Sequence, residues 1–116
     1  MTAQQITAAI DELVSLAVEG KWETAFEKFY HKDLQKTDLD GTVVNGKAAN
    51  FENGKIFSSK ISNVRDFSNA GKIVKGNRSF LVWSLDFDVA GEPFKVVEVA
   101  IQDWEEGKII RERFFA

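Results

Sequence analysis

From Ile61 to Phe115 the hydrophobic period is two, and only short links interrupt it. β-rich runs fall at 61–74, 78–89, 93–104 and 108–115. The breaks are Gly76-Asn77, Gly91-Glu92 and Glu105-Gly107. Links this short leave no room for a crossover, so successive strands must be antiparallel neighbours. The lone proline, Pro93, stands at a strand start, where its missing N–H does least harm.

The closing stretch VVEVAIQDWEEGKIIRERFF reads as a long hairpin. A three-residue loop, Glu105-Glu106-Gly107, ends in the residue best suited to a left-handed conformation. It pairs Trp104 with Lys108. Glu98, Ala100, Gln102 and Trp104 then share a face with Ile110, Glu112 and Phe114. Val97, Val99, Ile101, Ile109, Arg111 and Arg113 take the other face. The first face sets two carboxylates among apolar side chains, remote from any turn.

The preceding residues change period. Thr2 and Gln5 have the spacing of a capping box. Ile6, Ala9, Ile10, Leu13, Leu16 and Ala17 follow at helical spacing, and Gly20 fits the position just past the helix end. A second helix spans about Lys21 to Tyr30, with Trp22, Ala25, Phe26 and Phe29 as its stripe. Asp40-Gly41 marks a turn between two short strands. Gly46 leads into a third helix, Lys47 to about Ser59, weakened by Asn53-Gly54. Helices first and strands afterwards give an α+β domain, with the helices on one face of a curled antiparallel sheet.

At 116 residues the chain supports one core, a single domain over 1–116. Apolar residues make up 44%, too many for disorder. Ten Phe and three Trp suit a fold around a roomy apolar space. A net charge of −3 argues against nucleic acid, whose phosphates need a basic face. No apolar run reaches the roughly 20 residues that span a bilayer, so no membrane partner is expected. The N-terminus lacks the pattern of a secretory signal. With no Cys, disulfides and thiolate chemistry are ruled out, which fits a cytoplasmic location. One His and no Cys exclude a His-rich metal site, and no phosphate-binding glycine loop occurs. No cofactor is expected.

Three stretches together resemble the nuclear transport factor 2-like superfamily, in its SnoaL-like, polyketide-cyclase-like branch. EGKWETAFEKFYHKDLQKTD resembles the turn, second helix and Tyr–acid–acid run, with Tyr30, Asp33 and Asp38 at the matching places. VVNGKAANFENGKIF resembles the Gly-led third helix. The closing hairpin supplies Glu98 and Glu112 at the branch's two glutamate positions. The resemblance implies a cone-shaped, strongly curved antiparallel sheet wrapped around three N-terminal helices, with a cavity between them. It also implies a homodimer through the outer sheet face. Members include small isomerases, cyclases and dehydratases as well as proteins without known activity. Three departures stand out. Asn53 occupies a place where relatives put Lys. Leu13 and Val14 stand where ketosteroid isomerases carry a Tyr. The His used by some cyclases has no counterpart in the late strands.

The candidate catalytic residues are Asp38 and Glu98. The resemblance places an acid-base carboxylate in the region of Asp38, which otherwise reads as a solvated turn residue. Glu98 lies between Val97 and Val99. Facing inward, it must be paired, hydrogen-bonded or protonated. Glu112, diagonal to it in the proposed register, would titrate with it as a pair, or else pair with Arg111 or Arg113. Tyr30, Phe51, Asn53, Phe57, Asp86, Gln102, Glu112 and Phe114 are the expected pocket lining. Asp86 depends on the turn: a two-residue link turns Trp83, Leu85 and Phe87 toward Glu98, and a three-residue link turns Ser84 and Asp86 there. His31 reads as a solvated helix-end cation. Two functions remain open. One is a cofactor-free enzyme moving a proton next to the carbonyl of a small apolar or amphipathic ligand. The other is a non-catalytic dimeric ligand-binding module.

Overall fold

Thr2 begins the first helix as its spacing predicts. Its Oγ1 accepts the Gln5 N–H at 3.1 Å, and Gln5 Oε1 accepts the Thr2 N–H at 2.8 Å. In the computed structural model, which describes residues 1–116, this helix is α1 (Ala3–Val18). α2 (Trp22–Phe29), β1 (Tyr30–Thr37), β2 (Val43–Asn45) and α3 (Lys47–Ser59) follow. Then come β3 (Ile61–Lys75), β4 (Arg78–Val89), β5 (Glu92–Glu105) and β6 (Lys108–Phe115). The apolar stripes of α1 and α2 bury Ile6, Ile10, Leu13, Ala25, Phe26 and Phe29 against Leu34, Leu81, Phe87, Ala100, Trp104 and Ile109. No helix is long and apolar enough to cross a membrane.

α3 keeps its glycine for a packing reason. A Cβ on Gly54 would lie 3.0 Å from two ring atoms of Trp22. The helix therefore gives up about 1 kcal/mol of propensity so that an indole can lie against its backbone. Gly54→Val should destabilise the fold by about 1–3 kcal/mol through overpacking. Urea titration checks this, and wild-type stability in the variant would mean that Trp22 yields freely.

The six strands form one sheet in the order β2-β1-β6-β5-β4-β3. All neighbours are antiparallel except β1 and β6, which run parallel. Register breaks between Ser62 and Asp66, between Asn69 and Gly71, and between Asp103 and Trp104 add the local bends that a curled sheet needs.

Two turns differ from the simplest reading of the sequence. The last hairpin closes on two residues, Glu106 (φ 54°) and Gly107 (φ 77°), and pairs Glu105 with Lys108. Paired left-handed residues match the strand twist better than a three-residue loop would. The bulge beside Trp104 then absorbs Ile110. Ile109, expected outside, is fully buried opposite Trp104, and Ile110 drops out of the paired inner row. Beyond the bulge Glu112 faces Gln102, and Ala100 faces Phe114, so Glu112 is one step further from Glu98 than a diagonal neighbour.

The link before β5 is Ala90-Gly91, also with both φ angles positive. It pairs Val89 with Glu92 and therefore Trp83 with Glu98. Trp83, Leu85 and Phe87 point inward, and Asp86 points outward. His31, expected in solvent, is buried on β1: its Nδ1 accepts the Asp33 N–H at 3.0 Å, and its Nε2 faces Glu106 at 3.5 Å.

Candidate functional site

A cavity of about 430 Å³ lies between the helices and the inner sheet face. Its walls are largely aromatic. Trp22, Phe26 and Phe57 come from the helices; Phe67, Trp83, Phe87 and Phe114 come from the strands. Phe26 stacks on Tyr30 at 4.6 Å between ring centres, which fixes the tyrosine ring. Polar groups come from the strands and from α3, where Ser58 is one of them. Tyr30 and Lys36 come from β1, Glu98 and Gln102 from β5, Glu112 from β6 and Asn50 from α3.

The two glutamates live in different surroundings. Glu112 is buried and held by neutral donors. The Tyr30 hydroxyl lies 2.9 and 2.8 Å from its two oxygens, and Gln102 Nε2 donates to Oε2 at 2.7 Å. Burial pushes its pKa up. The Lys36 charge and the bonds from Gln102 and Tyr30 oppose that shift, and Asp38 adds to it. Tyr30 is pushed well above the ordinary tyrosine value by burial and by the adjacent Glu112. Arg111 and Arg113 do not pair with Glu112: Arg111 is exposed, and Arg113 lies 3.8 Å from Asp103 on the outer face.

Glu98 is half-buried at the cavity wall and has no hydrogen-bond partner in the protein. Burial raises its pKa, and the charges of Glu112 and Asp38 push the same way, against Lys36. Lys36 itself is shared. Its Nζ faces Asp38 at 3.6 Å and the Phe114 ring at 5.1 Å.

Gln102 is part of a longer chain. The Trp104 indole N–H donates to Ser79 Oγ at 2.9 Å, and Ser79 Oγ donates to Gln102 Oε1 at 2.7 Å. Ser79 and Gln102 are both almost fully buried, so these bonds are shielded from water.

Of the expected pocket residues, the cavity gathers Tyr30, Phe57, Glu98, Gln102, Glu112 and Phe114. Asp38 is not at the wall; it stands behind Lys36 in the loop after β1. Phe51 packs into an aromatic cluster with Trp22 at 5.4 Å and Phe26 at 5.8 Å, behind the wall. Asn53 is exposed on α3, because the helix turns Asn50 and Gly54 inward instead. Asp86 faces outward and binds Arg65 Nε at 2.9 Å, a consequence of the two-residue turn before β5. Trp83, Leu85 and Phe87 line the wall as the two-residue link predicts, and Lys36 and Asn50 belong to it without having been expected there. The signal for Lys36 was its alternation with the buried Leu34 on one strand. Asn50 sits four residues after Gly46, and its Nδ2 donates to Val44 O and Gly46 O. That ties the start of α3 to the end of β2.

The family model described as a SnoaL-like domain matches residues 1–116. No protein of curated function matches the chain by sequence. Among solved structures, a SnoaL-like candidate polyketide cyclase from Mesorhizobium loti is 26% identical, with full coverage of both chains and a TM-score of 0.86. Another SnoaL-like candidate cyclase, from Jannaschia, is 12% identical, with 97% of this chain and 85% of that one covered and a TM-score of 0.81. A ketosteroid isomerase-like fold from Catenulispora acidiphila, in complex with trimethylamine, is 15% identical over 79% of this chain and 72% of that one, with a TM-score of 0.67.

Proposed function

The chain belongs to the SnoaL-like domain family, and from that premise we propose that it binds a small, mostly apolar carbonyl compound and moves a proton next to the carbonyl. The observation that carries this reading is Glu98: a carboxyl of raised pKa on an aromatic cavity wall, without a partner in the protein. A carboxylate so placed is a stronger base than a solvated one, and the apolar part of the wall limits the water around it. Asp38, solvated and shared with Lys36, is the weaker candidate for this role. Two carboxyls in unlike environments suggest a division of labour, with Glu98 as the base toward the ligand and Glu112 held in position by Tyr30 and Gln102.

The test is exchange of the α-protons of 2-tetralone in D₂O, followed by proton NMR. The protein should accelerate exchange over buffer with no added cofactor. Exchange at the buffer rate, with 2-tetralone bound, would leave a binding module without this chemistry.

The outer sheet face supports a homodimer in either case. Val97, Ile73 and Phe115 are each more than half exposed there. Exposed apolar groups gathered on one sheet face commonly meet a second copy. Val97→Lys should shift sedimentation from dimer to monomer. A wild-type monomer at micromolar concentration would remove the proposal.

A further inference from the structure

The direction of every hydrogen bond beneath the cavity is forced from one end. An indole N–H can only donate, so Ser79 Oγ accepts from Trp104. Ser79 has one proton, and it goes to Gln102 Oε1. The Gln102 carboxamide is thereby fixed with its NH₂ toward Glu112 Oε2, and a flip would set its oxygen against the carboxylate. Glu112 thus meets a donor that cannot turn into an acceptor. If Glu112 takes up a proton, one acceptor within the protein is in reach of it: the Tyr30 hydroxyl oxygen, 2.8–2.9 Å away. Tyr30 has a single O–H. Once its oxygen accepts from Glu112, its own proton is released from the carboxylate and can point into the cavity that Tyr30 lines.

Resting on the carbonyl-binding reading above, we propose that Tyr30 recognises the ligand's acceptor oxygen and that this recognition takes up one proton at Glu112. The Trp104–Ser79–Gln102 relay supplies the polarity that makes the two events one. The balance is simple: a solvent proton joins the Glu112 carboxylate, and the Tyr30 O–H bond swings from Glu112 to the ligand oxygen. No covalent bond is made or broken elsewhere. Ser79 and Trp104 are positioning residues that act through Gln102.

Burial favours such uptake at Glu112, and Asp38 after β1 acts in the same direction, whereas Lys36 on β1 and the bonds from Gln102 and Tyr30 favour the ionised form. Glu98 on β5 is the other carboxyl on the same cavity wall. Tyr30, also on β1, is far from ionising and remains a donor.

The test uses 9-fluorenone, which has an acceptor oxygen and no exchangeable α-proton, beside the hydrocarbon fluorene. Titration calorimetry in buffers of different ionisation enthalpy should show about one proton taken up per fluorenone bound. Fluorenone affinity should fall about tenfold per pH unit above the Glu112 titration, and fluorene affinity should not change. In Ser79→Ala the carboxamide can flip and accept from a protonated Glu112, so uptake should fall well below one while fluorenone still binds. Trp104→Phe should act in the same direction if Ser79→Ala folds poorly. Fluorenone binding without proton uptake in wild type would overturn the proposal. So would equal affinity for the two probes, full uptake in both variants, or binding of neither probe. Exchange of 2-tetralone decides the wider reading separately in each of those cases.

Discussion

Glu98→Gln should lower 2-tetralone exchange by about 10²–10⁴-fold, the range that a positioned general base contributes. The same change should raise the melting temperature at neutral pH. These effects share one cause. Glu98 sits half-buried with its pKa raised by burial first and by Glu112 second. A carboxyl whose folded-state pKa lies above its unfolded value holds its proton more tightly when folded. Its favourable contribution is complete below the unfolded pKa and disappears as pH rises through the folded one. At pH 8 wild type therefore carries the cost of a desolvated charge, and glutamine relieves it. At pH 4 the two proteins should melt together. Melts at the two pH values, run beside the exchange assay, separate a functional residue from a structural one. A variant that exchanges at the wild-type rate removes Glu98 from the chemistry. One that is less stable at pH 8 than at pH 4, relative to wild type, contradicts the electrostatic account.

Gln102→Ala should cost about 3–5 kcal/mol of stability, the largest loss expected from any single polar residue in this domain. Gln102 is 1% exposed and joins two hydrogen bonds, accepting from Ser79 and donating to Glu112. Truncation leaves a buried hydroxyl proton and a buried carboxylate oxygen each short of a partner. Each orphan costs about 1–3 kcal/mol, and the vacated volume adds to the sum. Urea unfolding at pH 7 measures it. A loss below about 1 kcal/mol would mean that water enters the vacated space and completes the network. Glu112→Gln should cost less, because an amide in that place still meets the Tyr30 hydroxyl and removes a desolvated charge.

Much of this architecture was legible in the sequence. The helical spacing of Ile6, Ile10 and Leu13, the Thr2–Gln5 cap and the period of two beyond Ile61 carry it, since each is a local rule obeyed locally. Glu98, Gln102, Glu112 and Tyr30 were likewise readable as inward-facing residues. What escaped depends on contacts between distant segments. The bulge beside Trp104 exchanges Ile110 for Ile109, yet the hairpin residues alone allow either register. Asp86 hinged on whether Ala90 would adopt a left-handed φ of 51°, which alanine seldom prefers. His31 reads as a helix-end cation until β1 is seen to lie against β6, which buries it. Lys36 reads as a solvated strand residue until β1 pairs with β6, which sets it opposite Glu112. The relay through Ser79 and Trp104 joins three strand positions on β4 and β5, and no spacing in one segment announces it.

The placement of β1 has a consequence for how the molecule is made. Within the sheet this early strand touches only β2 and the final strand, β6. Residues 30–37 therefore leave the ribosome long before their main partner exists. The nascent chain must carry an open β1 edge until the eight residues of β6, Lys108–Phe115, slide in between β1 and β5. Glu112 arrives with that wedge, so Tyr30 meets its carboxylate only in the closing step of assembly. Translation that stops short of Lys108 leaves a two-strand flap detached from a three-strand meander, with both edges free to pair with other chains.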